Sequence, residues 1–300
     1  MGGSLRFEAP TALQYFASLV ADDASFSLLE AALAVSHDEH PRLDTQGLLA
    51  QIDALAERLR RRLPRDAGAL QKLRFLNHFF FQELGFAGNV NDYRDPRNSD
   101  LSEVMQTRRG IPITLALLYT ELATQIGLAA SGVSFPGHFL VKVRMPRGEV
   151  VIDPFNGQSL SREDLDERLQ PYRRQRGLLG DFEAPLGLFL QPATPRETIA
   201  RMLRNLKEIH TAAEDWTRLL AVLDRLAILL PQDAEVRRDR GLTHAELGAA
   251  AAAAADIAAY LERRPDAADA AALRMRLDGL NASGSGLQPR PDLDAPPRRH

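Results

Sequence analysis

A chain of 300 residues with 45% apolar content is long enough for more than one hydrophobic core, because single cores stop growing near this size. Its 37 Lys and Arg against 40 Asp and Glu leave a net charge of −3, which excludes a global field drawing it to nucleic acid or to an anionic membrane. The absence of cysteine excludes disulfides, thiolate metal sites and thiol catalysis together.

The first ten residues, MGGSLRFEAP, lack the basic start and apolar core of a signal peptide. No apolar run approaches the ~20 residues that a membrane helix requires, so no membrane partner and a cytoplasmic location are expected. Apolar residues at helical spacing predict amphipathic helices over Leu13 to Val20, Phe26 to Val35, Leu48 to Leu63 and Leu70 to Leu84. The last is widened by Phe79 and Phe81 and expected to stop at Gly85. The basic run Arg58, Arg60, Arg61, Arg62 and Arg65 reads as a solvated helix end, and no nucleic-acid partner is expected.

The stretch GFAGNVNDYRDPRNSD is dense in Gly, Asn, Asp and Pro, which predicts an irregular loop without strand or helix. Ser102 opens a short helix ending near Arg109-Gly110. Pro112 suits the first turn of the next, and Ile113 to Ile126 is apolar nearly all round, as in a central buried helix. After Gly127 the pattern turns to strands at Ala130 to Phe135, Phe139 to Arg144 and Glu149 to Ile152, the last two joined by Met145-Pro146-Arg147-Gly148. Helices followed by antiparallel strands make an α+β arrangement.

From Pro195 the chain is helical again. Pro231 and Pro265 stand 34 residues apart, with Leu226 and Asp233 in step with Tyr260 and Ala267, the period of a tetratricopeptide-like helix pair. The units Thr198 to Pro231 and Ala234 to Pro265 follow, the second degenerate because of its Ala249 to Ala255 run. Beyond Asn281 the composition predicts a disordered tail. The expected divisions are a helical region over 8–66, an α+β core over 67–190, helical repeats over 195–280 and a tail over 281–300.

A hairpin pairing residues whose numbers sum to about 291 sets His138 opposite Asp153. A carboxylate there fixes the imidazole tautomer and stabilises the imidazolium, as in a nucleophile, base and orienter triad; the alternative is a structural tie across the hairpin. A one-residue slip would part them.

The run Gly110-Ile111-Pro112-Ile113-Thr114-Leu115-Ala116, then Gly127, Pro136-Gly137-His138-Phe139 and Asp153-Pro154-Phe155, resembles the bacterial transglutaminase-like family named for an invasion regulator of the Sir B type. Asp95-Pro96-Arg97-Asn98-Ser99 and Arg109 to Ile113 also resemble family signatures, and the likeness covers Leu70 to Leu169. It implies a papain/transglutaminase-like core with a helical N-terminal region and tetratricopeptide-like C-terminal repeats. Active members of that superfamily carry Gly-x-Cys-x-x-x-Ala at the head of the buried helix, with a His and an Asp on successive strands. Gly110, Ala116, His138 and Asp153 match, but Pro112 stands at the cysteine position and has no nucleophilic atom.

The resemblance thus implies a transglutaminase-like protein without its nucleophile, which binds or regulates a protein or peptide partner through the repeats. The alternative is a hydrolase or acyltransferase in which His138 and Asp153 act as a general base. Thr114 and Ser134 are weaker nucleophile candidates. Thr114, two residues past Pro112, should face away from it, and its hydroxyl equally suits a helix start. Binding candidates are Asn91, Tyr93, Asp95, Arg97 and Asn98, equally suited to turn-making, and Trp216, which is either core of the repeat or an exposed anchor. His37, Asp38, Glu39 and His40 read as a loop rather than a metal site, and no metal or cofactor is expected.

Overall fold

The computed structural model describes residues 10–178 and 184–285. The chain divides after Ala213 into two compact units.

The first unit begins with α1 (Ala12–Leu19), α2 (Leu28–Val35), α3 (Thr45–Arg60) and α4 (Ala69–Asn77). The helix predicted over Leu70 to Leu84 is α-helical only to Asn77 and continues as a π-helical turn, His78–Glu83. Three successive phenylalanines pack along it: Phe79 lies under the Arg58 guanidinium at 4.8 Å, Phe80 meets Phe86 and Tyr119, and Phe81 also meets Tyr119. The loop expected to be irregular instead contains the two-residue strand β1 (Ala87–Gly88) and a 3-10 turn, Pro96–Ser99. Pro96 at its first position and Asp95 Oδ1, which accepts from Arg97 N, make that turn.

The next elements are α5 (Leu101–Thr107), β2 (Arg109–Gly110) and α6 (Pro112–Gln125). Pro112 starts α6 after an extended Ile111, and ten of its fourteen residues are buried, as its all-round apolar sequence requires. Each fully buried Leu or Ile there contributes about 1.5–3 kcal/mol of transfer free energy, offset by the entropy of ordering.

The main sheet runs β3 (Ala130–Val133), β4 (Leu140–Met145), β5 (Gly148–Asp153) and β6 (Gln158–Leu160) in sequence order, all antiparallel. The β4–β5 hairpin closes through Pro146 and Arg147 alone, with Met145 paired to Gly148 and Val141 to Ile152. Paired numbers therefore sum to 293 rather than 291, which corrects the expected register by two residues. An even shift keeps every side chain on its face.

Along β4 and β5, Leu140 and Val151 share one face, where Leu165 and Leu169 of α7 (Arg162–Gln175) and Leu186 of α8 (Leu186–Phe189) cover them. α6 packs against β3 and β4, and α9 (Pro195–Ala212) packs on α2, α6 and the 3-10 turn and so belongs to the first unit.

The second unit consists of α10 (Trp216–Leu229), α11 (Ala234–Glu246), α12 (Ala250–Arg263) and α13 (Ala270–Ser285), each packed on the next. The 34-residue period is written in the backbone. Asp215 and Ala249, the residues before α10 and α12, have φ, ψ of −83°, 78° and −83°, 63°. Leu230 and Arg264, which follow those helices, have −127°, 64° and −134°, 59°. Arg240 on α11 joins three helices, reaching Asp256 of α12 at 2.6 Å and Asp224 of α10 at 3.1 Å. Gly241 lets α12 approach closely, because a Cβ there would stand 2.9 Å from Ile257. α13 carries the chain as helix to Ser285, so residues 281–285 correct the expected tail; the rest of that tail lies outside the described residues.

Candidate functional site

Asp153 ends β5 two residues beyond Val151 and so points to the sheet face covered by α7. His138 sits in the turn just before β4, and its Nε2 lies 2.8 Å from Asp153 Oδ1. Asp153 is buried, with 4% of its side chain exposed, whereas 23% of the His138 side chain is open to solvent.

Sequence reasoning missed two further partners of the carboxylate. Arg168, one residue before the buried Leu169, donates from Nη1 to Asp153 Oδ2 at 2.8 Å, and the Phe155 backbone N–H donates to Oδ1 at 3.0 Å. The arginine lies fifteen residues away on a helix that no motif marks. Burial raises the Asp153 pKa, but hydrogen bonding and charge from His138, then the bonds from Arg168 and Phe155, outweigh it and hold the carboxyl below its ordinary value.

Two hydrogen bonds tie this pair to the head of α6. Gly88 N donates to Phe155 O at 2.8 Å on one side of β1, and Asn89 N donates to Gly110 O at 3.0 Å on the other. Phe155 and Gly110 therefore flank the same short strand, separated by two strand spacings of about 5 Å each. A Cβ at Gly88 would overlap the Phe155 ring, so only glycine admits this packing. Pro112, two residues past Gly110, is buried and offers no reactive atom.

Thr114 is wholly buried. Its hydroxyl lies 2.8 Å from Asn98 O and 3.0 Å from Ile111 O, and it accepts from Ile111 N at 3.2 Å. It straps the 89–99 loop to the helix. Ser134 is exposed beyond the end of β3.

The binding candidates separate. Asn98 is 3% exposed and committed to the loop, with Nδ2 donating to Asp92 O at 2.7 Å and Oδ1 accepting from Asn89 at 3.0 Å. Asp95 and Arg97 pair with each other at 2.6 Å. Asn91 is exposed. Tyr93 is 51% exposed, with its ring 6.0 Å from that of Phe155. Burial raises its pKa against the pull of the Arg201 charge, with the Asp153 and Glu208 charges adding to the rise. Trp216 opens α10 only partly buried, unlike Leu219, Leu223 and Leu226 behind it.

His37, Asp38, Glu39 and His40 do not converge: His37 Nε2 meets Thr45 Oγ1 at 2.9 Å, while His40 Nε2 meets Asp100 at 3.0 Å. Among the described residues no three His, Asp or Glu side chains gather as a metal site, and no helix is long and apolar enough to cross a membrane.

Comparison with known proteins gives the family. The transglutaminase-like superfamily profile matches residues 46–204, more than half of the chain, and a tetratricopeptide repeat profile matches residues 206–278. A UPF0162 protein of Xylella fastidiosa strain 9a5c is 38% identical over 245 residues, covering 81% of this chain and 86% of its own length. A UPF0162 protein of Pseudomonas aeruginosa is 30% identical, covering 85% and 91%. Protein SirB1 of Salmonella typhimurium is 26% identical, covering 75% and 82%. No solved structure matches. With a transglutaminase-like core, an antiparallel sheet and tetratricopeptide repeats, the chain belongs to the UPF0162 family, whose members similar to it include SirB1.

Proposed function

We propose that this chain is a transglutaminase-like protein without a nucleophile, which acts as a binding or regulatory module for a protein or peptide partner. The observation that carries the reading is Pro112, buried at the head of α6 in a chain with no cysteine. Thiol acyl transfer needs a thiolate at that point, and the nearest hydroxyl on the helix, Thr114, is spent on backbone bonds. Tetratricopeptide repeats generally mediate contacts between proteins, and their presence over residues 206–278 supports the binding half of the reading. His138 and Asp153 then hold the β3–β4 turn to the end of β5, with Arg168 completing the tie.

One observation favours a second reading, a hydrolase or acyltransferase using His138 as general base. With Nε2 bonded to Asp153, Nδ1 has no partner among the described residues, and the ring is partly open to solvent.

Turnover by the full chain across ester, amide and peptide panels separates the two readings. The binding module predicts no turnover above background. Turnover that disappears in both His138→Ala and Asp153→Asn would overturn it in favour of the general base.

A further inference from the structure

A cavity of about 240 Å³ opens between α6, β3 and α9, away from the His138–Asp153 pair. Its walls are largely apolar, with Leu28, Leu117, Phe139 and Pro195 among them. Its polar atoms share one property. Thr120 donates its hydroxyl proton to Ala116 O at 2.7 Å, Thr124 to Thr120 O at 2.8 Å and Thr198 to Thr194 O at 2.9 Å. Each threonine therefore turns only lone pairs to the cavity.

Glu121 adds a carboxylate, met by the neutral amide of Gln125 at 2.8 Å and by no Lys, Arg or His among the described residues. Two cations on neighbouring elements are engaged elsewhere. Lys142, opposite Ser131 on β4, reaches Leu190 O at 2.6 Å and Glu149 at 3.3 Å, and Arg196 of α9 reaches Asp23 at 2.8 Å. Ser131, opposite Lys142, belongs to the other face of the sheet with Val133 and Leu140, so its hydroxyl is not among the cavity's polar groups.

From this juxtaposition of an apolar chamber, three acceptor-only hydroxyls and an uncompensated carboxylate, we infer that the cavity binds a small organic cation, an alkylammonium group with a short apolar body. The alkyl part fills the space beside Leu117 and Phe139, and the ammonium donates to Glu121 and the threonine oxygens. A carboxylate ligand meets repulsion and none of the threonine protons, which are spent on backbone carbonyls; a neutral alcohol satisfies fewer acceptors and gains no charge pairing. The inference is independent of any activity at His138.

Calorimetric titration of the full chain with butylammonium, and with butyrate and butanol as shape-matched controls, tests it. Saturable binding of butylammonium at neutral pH is expected, with none of butyrate. Glu121→Gln should weaken it about tenfold or more, the scale of one charge-assisted hydrogen bond. The thermal transition of the variant checks that it folds. Butyrate or butanol binding as tightly as the amine, an unchanged affinity in Glu121→Gln, or no saturable amine binding into the millimolar range would overturn the inference.

Discussion

Arg168 and His138 hold opposite oxygens of one carboxylate: Arg168 Nη1 lies 2.8 Å from Oδ2 of Asp153, and His138 Nε2 lies 2.8 Å from Oδ1. Because a guanidinium stays charged at any ordinary pH, Asp153 keeps a cationic partner even when the imidazole is neutral. The folded-state pKa of Asp153 is lowered, so its stabilisation is complete above the unfolded value near 3.9 and fades as pH falls through the lowered folded value. Asp153→Asn should therefore cost about 1–3 kcal/mol at neutral pH, and the gap to the parent should close in acid below about pH 4. Denaturant titrations of both proteins across that range check the sign; a gap that widens toward acid would contradict it.

Thr114 makes three backbone contacts while fully buried. Thr114→Val keeps the shape, removes the hydroxyl and leaves Ile111 N without this acceptor. A loss of about 1–3 kcal/mol is expected, with most of it recovered in Thr114→Ser. Hydrogen exchange should show the 89–99 loop opening faster in the valine variant, because Asn98 O loses its link to α6. A loss of stability spread evenly over the first unit, with no excess in that loop, would show that the strap is not what holds it.

Much of this fold was legible because its strongest signals are periodic. The all-round apolar run of α6 and the strand pattern after Gly127 repeat over several turns or strands, and the 34-residue interval from Pro231 to Pro265 brings Leu226 and Asp233 into step with Tyr260 and Ala267. The His138–Asp153 contact was legible through a register that was off by two, an error that parity absorbed. Arg168 was not legible, since an ion pair between a strand end and a later helix leaves no trace in local spacing. Nor was the π-helical turn after Asn77, which keeps the apolar stripe of an α-helix while changing its hydrogen bonds. The 89–99 loop read as polar and available, yet Asn98 is buried, because polarity in a loop does not tell whether its atoms bond a ligand or the loop itself.

Gly88 and Phe155 test the link between the pair and the head of α6. In Gly88→Ala the new methyl overlaps the Phe155 ring, which must move, at about 1–3 kcal/mol. Phe155→Leu alone should lose a smaller packing contribution, and the double variant should be more stable than the sum of the two singles predicts. A double-mutant cycle on unfolding free energies gives that coupling directly. Strict additivity would show that the ring and the glycine do not constrain each other.

The repeat supplies a prediction of opposite sign. Asp215 and Ala249 occupy equivalent positions, 34 residues apart, with nearly the same φ and ψ. Asp215 accepts a hydrogen bond from Arg218 N at 3.1 Å, and its charge faces the positive end of α10. Ala249 has no side-chain acceptor, so the first N–H groups of the alanine-rich α12 go uncapped by it. Because the backbone already has the capping conformation, Ala249→Asp should stabilise the second unit by about 1 kcal/mol without moving it. Ala249→Asn should give a similar gain, the uncharged cap showing how much is hydrogen bond rather than helix dipole. Thermal unfolding at low and high salt checks both parts: the aspartate's advantage over asparagine should shrink as salt screens the dipole, while the gain common to both remains.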